Sequence, residues 1–261
     1  MTQAATETDG VSPIDEATGR ALGRPDLDGG VLWTAGEAFA FLRGHDLDLA
    51  VSPEHRRAGL GRELAEVAVA EAPPRTTAWS HADHPAAASL ARRFGFEPVR
   101  ALWVMSREAG PVDSPEIDGV TIRGYRDSDA DEVIRVNAAA FAHHPEQGSM
   151  DAADLAARMA EPWFDPTDLL VAESGHGLLA FHWTKRHSAE LGEVYVVAVD
   201  PAAQGRGLGK AVTAAGLAHL ASRGVREILL YVESDNEAAV ATYSHLGFAH
   251  TSTHVQYARS P

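Results

Sequence analysis

Val197-Ala-Val-Asp-Pro-Ala-Ala-Gln-Gly-Arg-Gly-Leu-Gly-Lys210 is the stretch on which the fold turns. A strongly apolar run ends at an Asp-Pro turn, glycines follow, and an Ala-rich helical pattern begins. Gly207 and Gly209 let the backbone approach a ligand closely and favour positive φ. The unpaired N–H groups of the helix's first turn then face an anion, and the helix dipole favours its charge. Arg206 and Lys210 add local positive charge. The spacing is not the G-x-G-x-x-G of a dinucleotide fold, and no acidic ribose ligand stands about 20 residues on. A P-loop would need Ser or Thr after Gly209-Lys210, where Ala211 stands.

The same stretch occurs earlier in the chain. Leu49-Ala-Val-Ser-Pro-Glu-His-Arg-Arg-Ala-Gly-Leu-Gly61 matches Val197–Gly209, and Ala86-Ala-Ala-Ser-Leu-Ala-Arg-Arg-Phe-Gly-Phe96 matches Ala238–Phe248. Two blocks repeated in one order and at nearly one spacing imply duplicated domains. The boundary falls in Ala109-Gly-Pro-Val-Asp-Ser-Pro-Glu-Ile-Asp-Gly119, rich in turn formers and free of periodicity. The expected division is a domain over 1–108, a linker over 109–119 and a domain over 120–261.

The second half predicts a mixed α/β order. A strand covers Val120–Tyr125, and Asp127 caps a helix running to about Phe141. A second helix covers Ala152–Met159. Strands follow over Leu169–Glu173, Leu178–Lys185 and Glu193–Val199. Then come a helix over Gly207–Ala221, the strand Glu227–Val232 and a helix over Glu237–His245. A hairpin of Phe248–His250 with Thr253–Tyr257 ends the chain. The first half reads as abbreviated: a helix over Ile14–Leu22 comes first, with no opening strand before it.

Composition narrows the function classes. The 261 residues suit about two domains, and 45% hydrophobic with 23% charged residues is ordinary for a globular protein. Without cysteine there is no disulfide, thiolate nucleophile or Cys-based zinc site. His143 and His144 are adjacent and so diverge on a helix, and no third ligand is spaced near them; no metal is expected. The net charge of −15 argues against nucleic acid. It suits either solubility or an acidic pocket for a cationic small molecule, and net charge alone does not choose. No leader or membrane span is read, so the expectation is a soluble, cytoplasmic monomer.

Strand, Gln/Arg-x-x-Gly-x-Gly, helix resembles the GNAT acetyltransferases, whose loop holds the pyrophosphate of acetyl-CoA. Both copies carry the pattern, as Arg56-x-x-Gly59-x-Gly61 and Gln204-x-x-Gly207-x-Gly209. Within that superfamily the chain is similar to the mycothiol synthases, tandem GNAT enzymes. The likeness rests on Asp9-Gly-Val-Ser-Pro13, His144-Pro-Glu-Gln-Gly148, Trp163-Phe-Asp-Pro166, Phe181-His-Trp-Thr-Lys185, Gly192-Glu-Val-Tyr-Val-Val197 and Leu230-Tyr-Val-Glu-Ser-Asp-Asn236. It implies two tandem domains, each a mixed twisted sheet flanked by helices. It also implies an acetyl-CoA-dependent enzyme that acetylates the cysteine amine of cysteinyl-glucosaminyl-inositol.

Further roles come with the resemblance. Acetyl-CoA would lie against Val197-Ala198-Val199, Gln204-Gly205-Arg206-Gly207-Leu208-Gly209-Lys210 and Asn236-Glu237-Ala238-Ala239-Val240-Ala241. In the first copy the matching positions are Leu49-Ala50-Val51 and Arg57-Ala58-Gly59-Leu60-Gly61-Arg62. Glu16, Glu146, Lys185, Glu193 and Tyr231 would bind the cysteinyl sugar. Glu193 would be the general base, Tyr243 the acid that protonates the leaving thiolate, and a backbone N–H near Val197–Val199 the oxyanion donor. Tyr243 aligns with Ala91 and Glu193 with His45, so only the second copy pairs a phenol with a carboxylate. Trp163, Phe164, Phe181 and Trp183 read as core or pocket wall. Two other readings are another small-molecule or peptide N-acetyltransferase and a non-catalytic acyl-CoA sensor.

Overall fold

The computed structural model describes residues 2–142 and 147–259. The helices are α1 (Thr2–Asp9), α2 (Glu16–Leu22), α3 (Leu60–Glu71), α4 (Pro85–Arg93), α5 (Ala130–Ala140), α6 (Ala152–Met159), α7 (Leu208–Ser222) and α8 (Glu237–His245). The strands are β1 (Val31–Thr34), β2 (Ala38–Arg43), β3 (Asp46–Val51), β4 (Thr77–Ser80), β5 (Phe96–Glu108), β6 (Thr121–Gly124), β7 (Leu169–Ser174), β8 (Gly177–Arg186), β9 (Leu191–Val199), β10 (Glu227–Glu233) and β11 (Ala249–Arg259). They form two compact units. One comprises Met1–Trp103, Glu233–Asp235 and Ser252–Pro261; the other comprises Val104–Val232 and Asn236–Thr251.

In the first unit the strand order is β1-β2-β3-β4-β11. β2 and β3 pair from Ala38↔Val51 to Arg43↔Asp46, which leaves only Gly44 and His45 in the turn; Gly44 has φ +61°. One face packs on α3 and α4 through Leu42, Leu64, Phe96 and Tyr257. The other covers Phe39, Phe41 and Ala50 with Ala21 and Leu22 of α2. No strand precedes α2 among the described residues. The sequence reading missed α1, which buries only Ala5 and so shows no apolar stripe.

In the second unit, which β5 enters at Val104, the order is β5-β10-β9-β8-β7-β6. The face under α5 and α6 buries Val133, Val136, Leu155, Phe181 and Trp183. The opposite face packs Val197 and Val199 against Leu208 and Val212 of α7. Asp151 opens α6 with a capping box, its carboxylate accepting from the Ala153 and Asp154 N–H groups.

Two expectations need correction. Asp127 does not cap the helix that follows it. A 3-10 turn spans Asp127–Asp129, and the buried Asp129 accepts from the Arg126 N–H and from the Arg123 guanidinium. The expected terminal hairpin is one continuous strand, β11. Its Thr251-Ser-Thr253 centre is β-compatible and holds no Gly, Pro, Asn or Asp. From Ser252 onward β11 belongs to the first unit, where Val255↔Ser80 and Tyr257↔Ala78 pair it with β4.

Candidate active site

β9 is paired on both sides near its start and on one side near its end. The parallel ladder with β10 runs from Leu191↔Glu227 to Val194↔Leu230 and stops there. Beyond Val194 the β10-facing edge of β9 has no ladder partner among the described residues, and Tyr231 on β10 is the first residue past the ladder. On the other side β8 pairs on to Val199, with a register shift: Trp183 faces Val196 while Thr184 faces Val194. Tyr195 is therefore the extra residue of a bulge, beyond which Val196 takes the same side of the sheet as Glu193.

The loop after β9 leads into α7 with its donors exposed. Gly205 and Gly207 have φ +78° and +80°, and no side chain caps the helix. The first bond of α7 is from the Ala211 N–H to the Gly207 carbonyl at 3.0 Å. The N–H groups of Leu208, Gly209 and Lys210 therefore point out of the turn unpaired among the described residues. The expected positive φ at Gly209 is not found. Gly209 is already helical, and a Cβ there would meet the Val199 side chain at 3.6 Å. It gives helix-to-strand packing, while Gly205 and Gly207 give the turn. Asn236 caps α8, its Oδ1 accepting from the Ala239 N–H at 3.1 Å.

Glu193 is 6% exposed. Lys185 lies directly across from it on β8, also buried. The Lys185 Nζ sits 4.5 Å from the centre of the Trp163 ring and 5.3 Å from that of Tyr195, which hold it by cation–π attraction. The Arg158 Nη1 donates to the Tyr195 hydroxyl at 3.3 Å. Trp183 packs edge-on against Tyr195, with ring centres 5.7 Å apart. The expected wall of Trp163, Phe164 and Trp183 is thus a connected aromatic cluster beside the carboxylate and ammonium.

Tyr243 lies on α8, its ring edge toward Phe248 at 5.9 Å between centres. Its hydroxyl has no hydrogen-bond partner among the described residues. Burial pushes the phenol up to about 12, so it keeps its proton throughout the neutral range. Tyr231 is 43% exposed. Glu16 opens α2 in the first unit, exposed, with its carboxylate 4.0 Å from Arg20. Glu146, His143 and His144 lie outside the described residues. No group of three or more metal-ligating side chains occurs among the described residues.

The first unit repeats the cleft with His45 and Ala91 at the positions of Glu193 and Tyr243. β3 and β4 pair only at Asp46↔Thr77. A cavity of about 840 Å³ is lined there by Val51, Arg56, Gly59, Arg62, Trp79 and Phe94 among others. Gly59 caps α3 at φ +94°, and Arg57 takes φ +67° where the second copy has Gly205. The Asp9 carboxylate binds the Arg56 guanidinium through two bonds, which holds Asp9 below the usual carboxylate range. Leu49 and Ala50 lie on β3.

The residue that sequence reasoning missed is His187. Its Nε2 donates to the Glu193 Oε2 at 2.6 Å. It could be found only from the hairpin register, which sets residues 185 and 187 on the side facing 193.

Comparison with known proteins agrees with this geometry. The acetyltransferase (GNAT) family model matches residues 138–248, and a second GNAT domain model matches residues 21–98. A mycothiol acetyltransferase of Nocardioides sp. is 54% identical over 99% of this chain and 95% of its own length. Another, of Actinosynnema mirum, is 48% identical over 97% of this chain and 92% of its own. Among solved structures, a GCN5-related N-acetyltransferase from Sphaerobacter thermophilus superposes with TM-score 0.72 at 24% identity, covering 98% of this chain and 89% of that one. A tandem GNAT protein from the clavulanic acid pathway covers 85% of this chain and 77% of its own, with TM-score 0.63 at 18% identity. The solved structures speak for the fold. The close relatives, matched end to end, speak for the family: the chain belongs to the mycothiol acetyltransferases and is an N-acetyltransferase with two GNAT domains.

Proposed function

We propose that this protein transfers the acetyl group of acetyl-CoA to the cysteine amine of cysteinyl-glucosaminyl-inositol, and that the second unit does the chemistry. The observation that carries this is the buried Glu193 carboxylate beside the point where β9 and β10 part, on a strand that feeds the uncapped N-terminus of α7. The pyrophosphate of acetyl-CoA would take the free N–H groups of Leu208, Gly209 and Lys210. Its pantetheine arm would run along the unpaired edge of β9, and a backbone N–H within Val197–Val199 would receive the developing oxyanion. Asn236–Ala241 would flank the cofactor, and Tyr231, Lys185 and Glu146 would contact the acceptor.

The reaction then needs two proton transfers. The neutral cysteine amine attacks the thioester carbon, and Glu193 takes the proton its nitrogen sheds, directly or through water. The tetrahedral intermediate collapses and the C–S bond breaks. Tyr243 gives its proton to the departing thiolate. A phenol pushed up to about 12 is protonated when it is needed. In the first unit Ala91 and His45 replace Tyr243 and Glu193, so that unit would hold acyl-CoA along Leu49–Val51 and Arg57–Arg62 without transferring it.

Product mapping tests the proposal. After turnover with acetyl-CoA, fragment mass spectra should place the acetyl group on the cysteine nitrogen, with the product thiol still titratable by a disulfide reagent. An acetyl group on the sugar nitrogen or a hydroxyl would reject it.

A further inference from the structure

We infer that His187 is a positioning residue that sets the orientation of the Glu193 carboxylate. This rests on the reading of Glu193 as the base. Nothing in the sequence motifs marks His187, which stands in the β8–β9 turn.

The argument begins with the turn. Its own bonds fix it: the His187 N–H donates to the Leu191 carbonyl at 2.9 Å, and the Ser188 Oγ accepts from the Glu190 and Leu191 N–H groups at 3.1 and 3.0 Å. These bonds continue the β8–β9 register, in which Lys185 faces Glu193 and Arg186 faces Gly192. Residue 187 is then the diagonal neighbour of residue 193 on the same side of the sheet, within reach of a long side chain. At 2.6 Å the Nε2 and Oε2 atoms are in direct hydrogen-bond contact.

A Glu side chain's terminal torsion is broad, so an unheld carboxylate presents its oxygens in many orientations. With Oε2 held by His187, Oε1 is the oxygen left for the acceptor's proton. Lys185, directly across on β8, has its Nζ over the Trp163 and Tyr195 rings. The first unit offers a contrast. Its β2–β3 turn holds only Gly44 and His45, so there is no counterpart to His187 where the carboxylate is also missing.

The experiment is a double-mutant cycle on the full chain with acetyl-CoA and cysteinyl-glucosaminyl-inositol, read as kcat and both KM values with melting curves alongside. His187→Ala should lower kcat about 10-fold and leave the KM for acetyl-CoA unchanged. His187→Gln should recover most of the loss, because its amide N–H can donate from nearly the same place. In a Glu193→Gln background, His187→Ala should cause no further loss, since His187 acts only through the carboxylate. Loss of turnover in Glu193→Gln with none in His187→Ala overturns this inference alone, as does an equal loss in both backgrounds. Full turnover in Glu193→Gln overturns the base reading and this inference with it.

Discussion

Two glycines in matching places allow one chemical change to be made twice. Gly207 caps α7 at φ +80° and Gly59 caps α3 at φ +94°. Neither has a neighbour that would clash with an added methyl: a Cβ at Gly207 meets only the Ile117 Cδ1 at 3.5 Å, and one at Gly59 meets nothing within 4 Å. Alanine at either position therefore suffers only the left-handed strain of an L residue, about 1–2 kcal/mol. That strain lowers Tm by about 2–8 °C for a chain of this size, at about 2–4 °C per kcal/mol. Both variants should fold, with similar losses of stability. Their turnover should differ. On the proposed reading, the Gly207 methyl would enter the space the pyrophosphate needs, or the loop would relax and turn its N–H groups away. Losing about 2 kcal/mol of cofactor binding raises the KM for acetyl-CoA about 30-fold. Gly59→Ala should keep the wild-type kcat and KM. Calorimetric titration with acetyl-CoA, melting curves and initial rates on the two proteins decide the matter. If Gly59→Ala folds normally and loses turnover while Gly207→Ala keeps it, the chemistry is in the wrong unit.

Other outcomes follow from single groups. Tyr243→Phe keeps the contact with Phe248 and removes only the proton donor, so kcat should fall about 10²–10⁴-fold with acetyl-CoA affinity intact in a titration. Because the phenol is pushed up to about 12, the wild-type rate should not fall through loss of this proton below pH 10. His182 is wholly buried, its Nδ1 3.1 Å from the Val212 carbonyl, and burial pushes it down to about 4. The unfolded chain binds this proton near pH 6.5 and the folded one does not. Stability therefore falls as pH drops from about 6.5 toward 4, by about 3 kcal/mol from this group. Urea unfolding of His182→Asn should show a shallower loss over that window; an identical slope would remove His182 as its cause.

Much of the second unit was legible because its local signals agree. α6 and α8 begin where Asp151 and Asn236 supply caps, and β7 to β10 are apolar runs between turns. The Gly-rich loop was legible for the same reason, although only Gly205 and Gly207 take positive φ. What the sequence hides is registration. The bulge at Tyr195 shifts which residues of β9 share a side, and the β8–β9 turn sets the register in which Glu193 faces Lys185. The His187 contact depends on that register as well. The destination of β11 is equally hidden, since its residues satisfy any strand neighbour and the repeat suggests pairing within the second half.

The central claim is best tested by competition. Cysteinyl-glucosaminyl-inositol, glucosaminyl-inositol, a polyamine and a short peptide with a free N-terminus are mixed at equal concentrations with labelled acetyl-CoA, and the label on each is counted at low conversion. The ratios give relative kcat/KM directly. The account predicts that the cysteinyl sugar takes nearly all the label and that Glu193→Gln abolishes this transfer. Equal labelling of the four acceptors, or preference for the polyamine or the peptide, would contradict it.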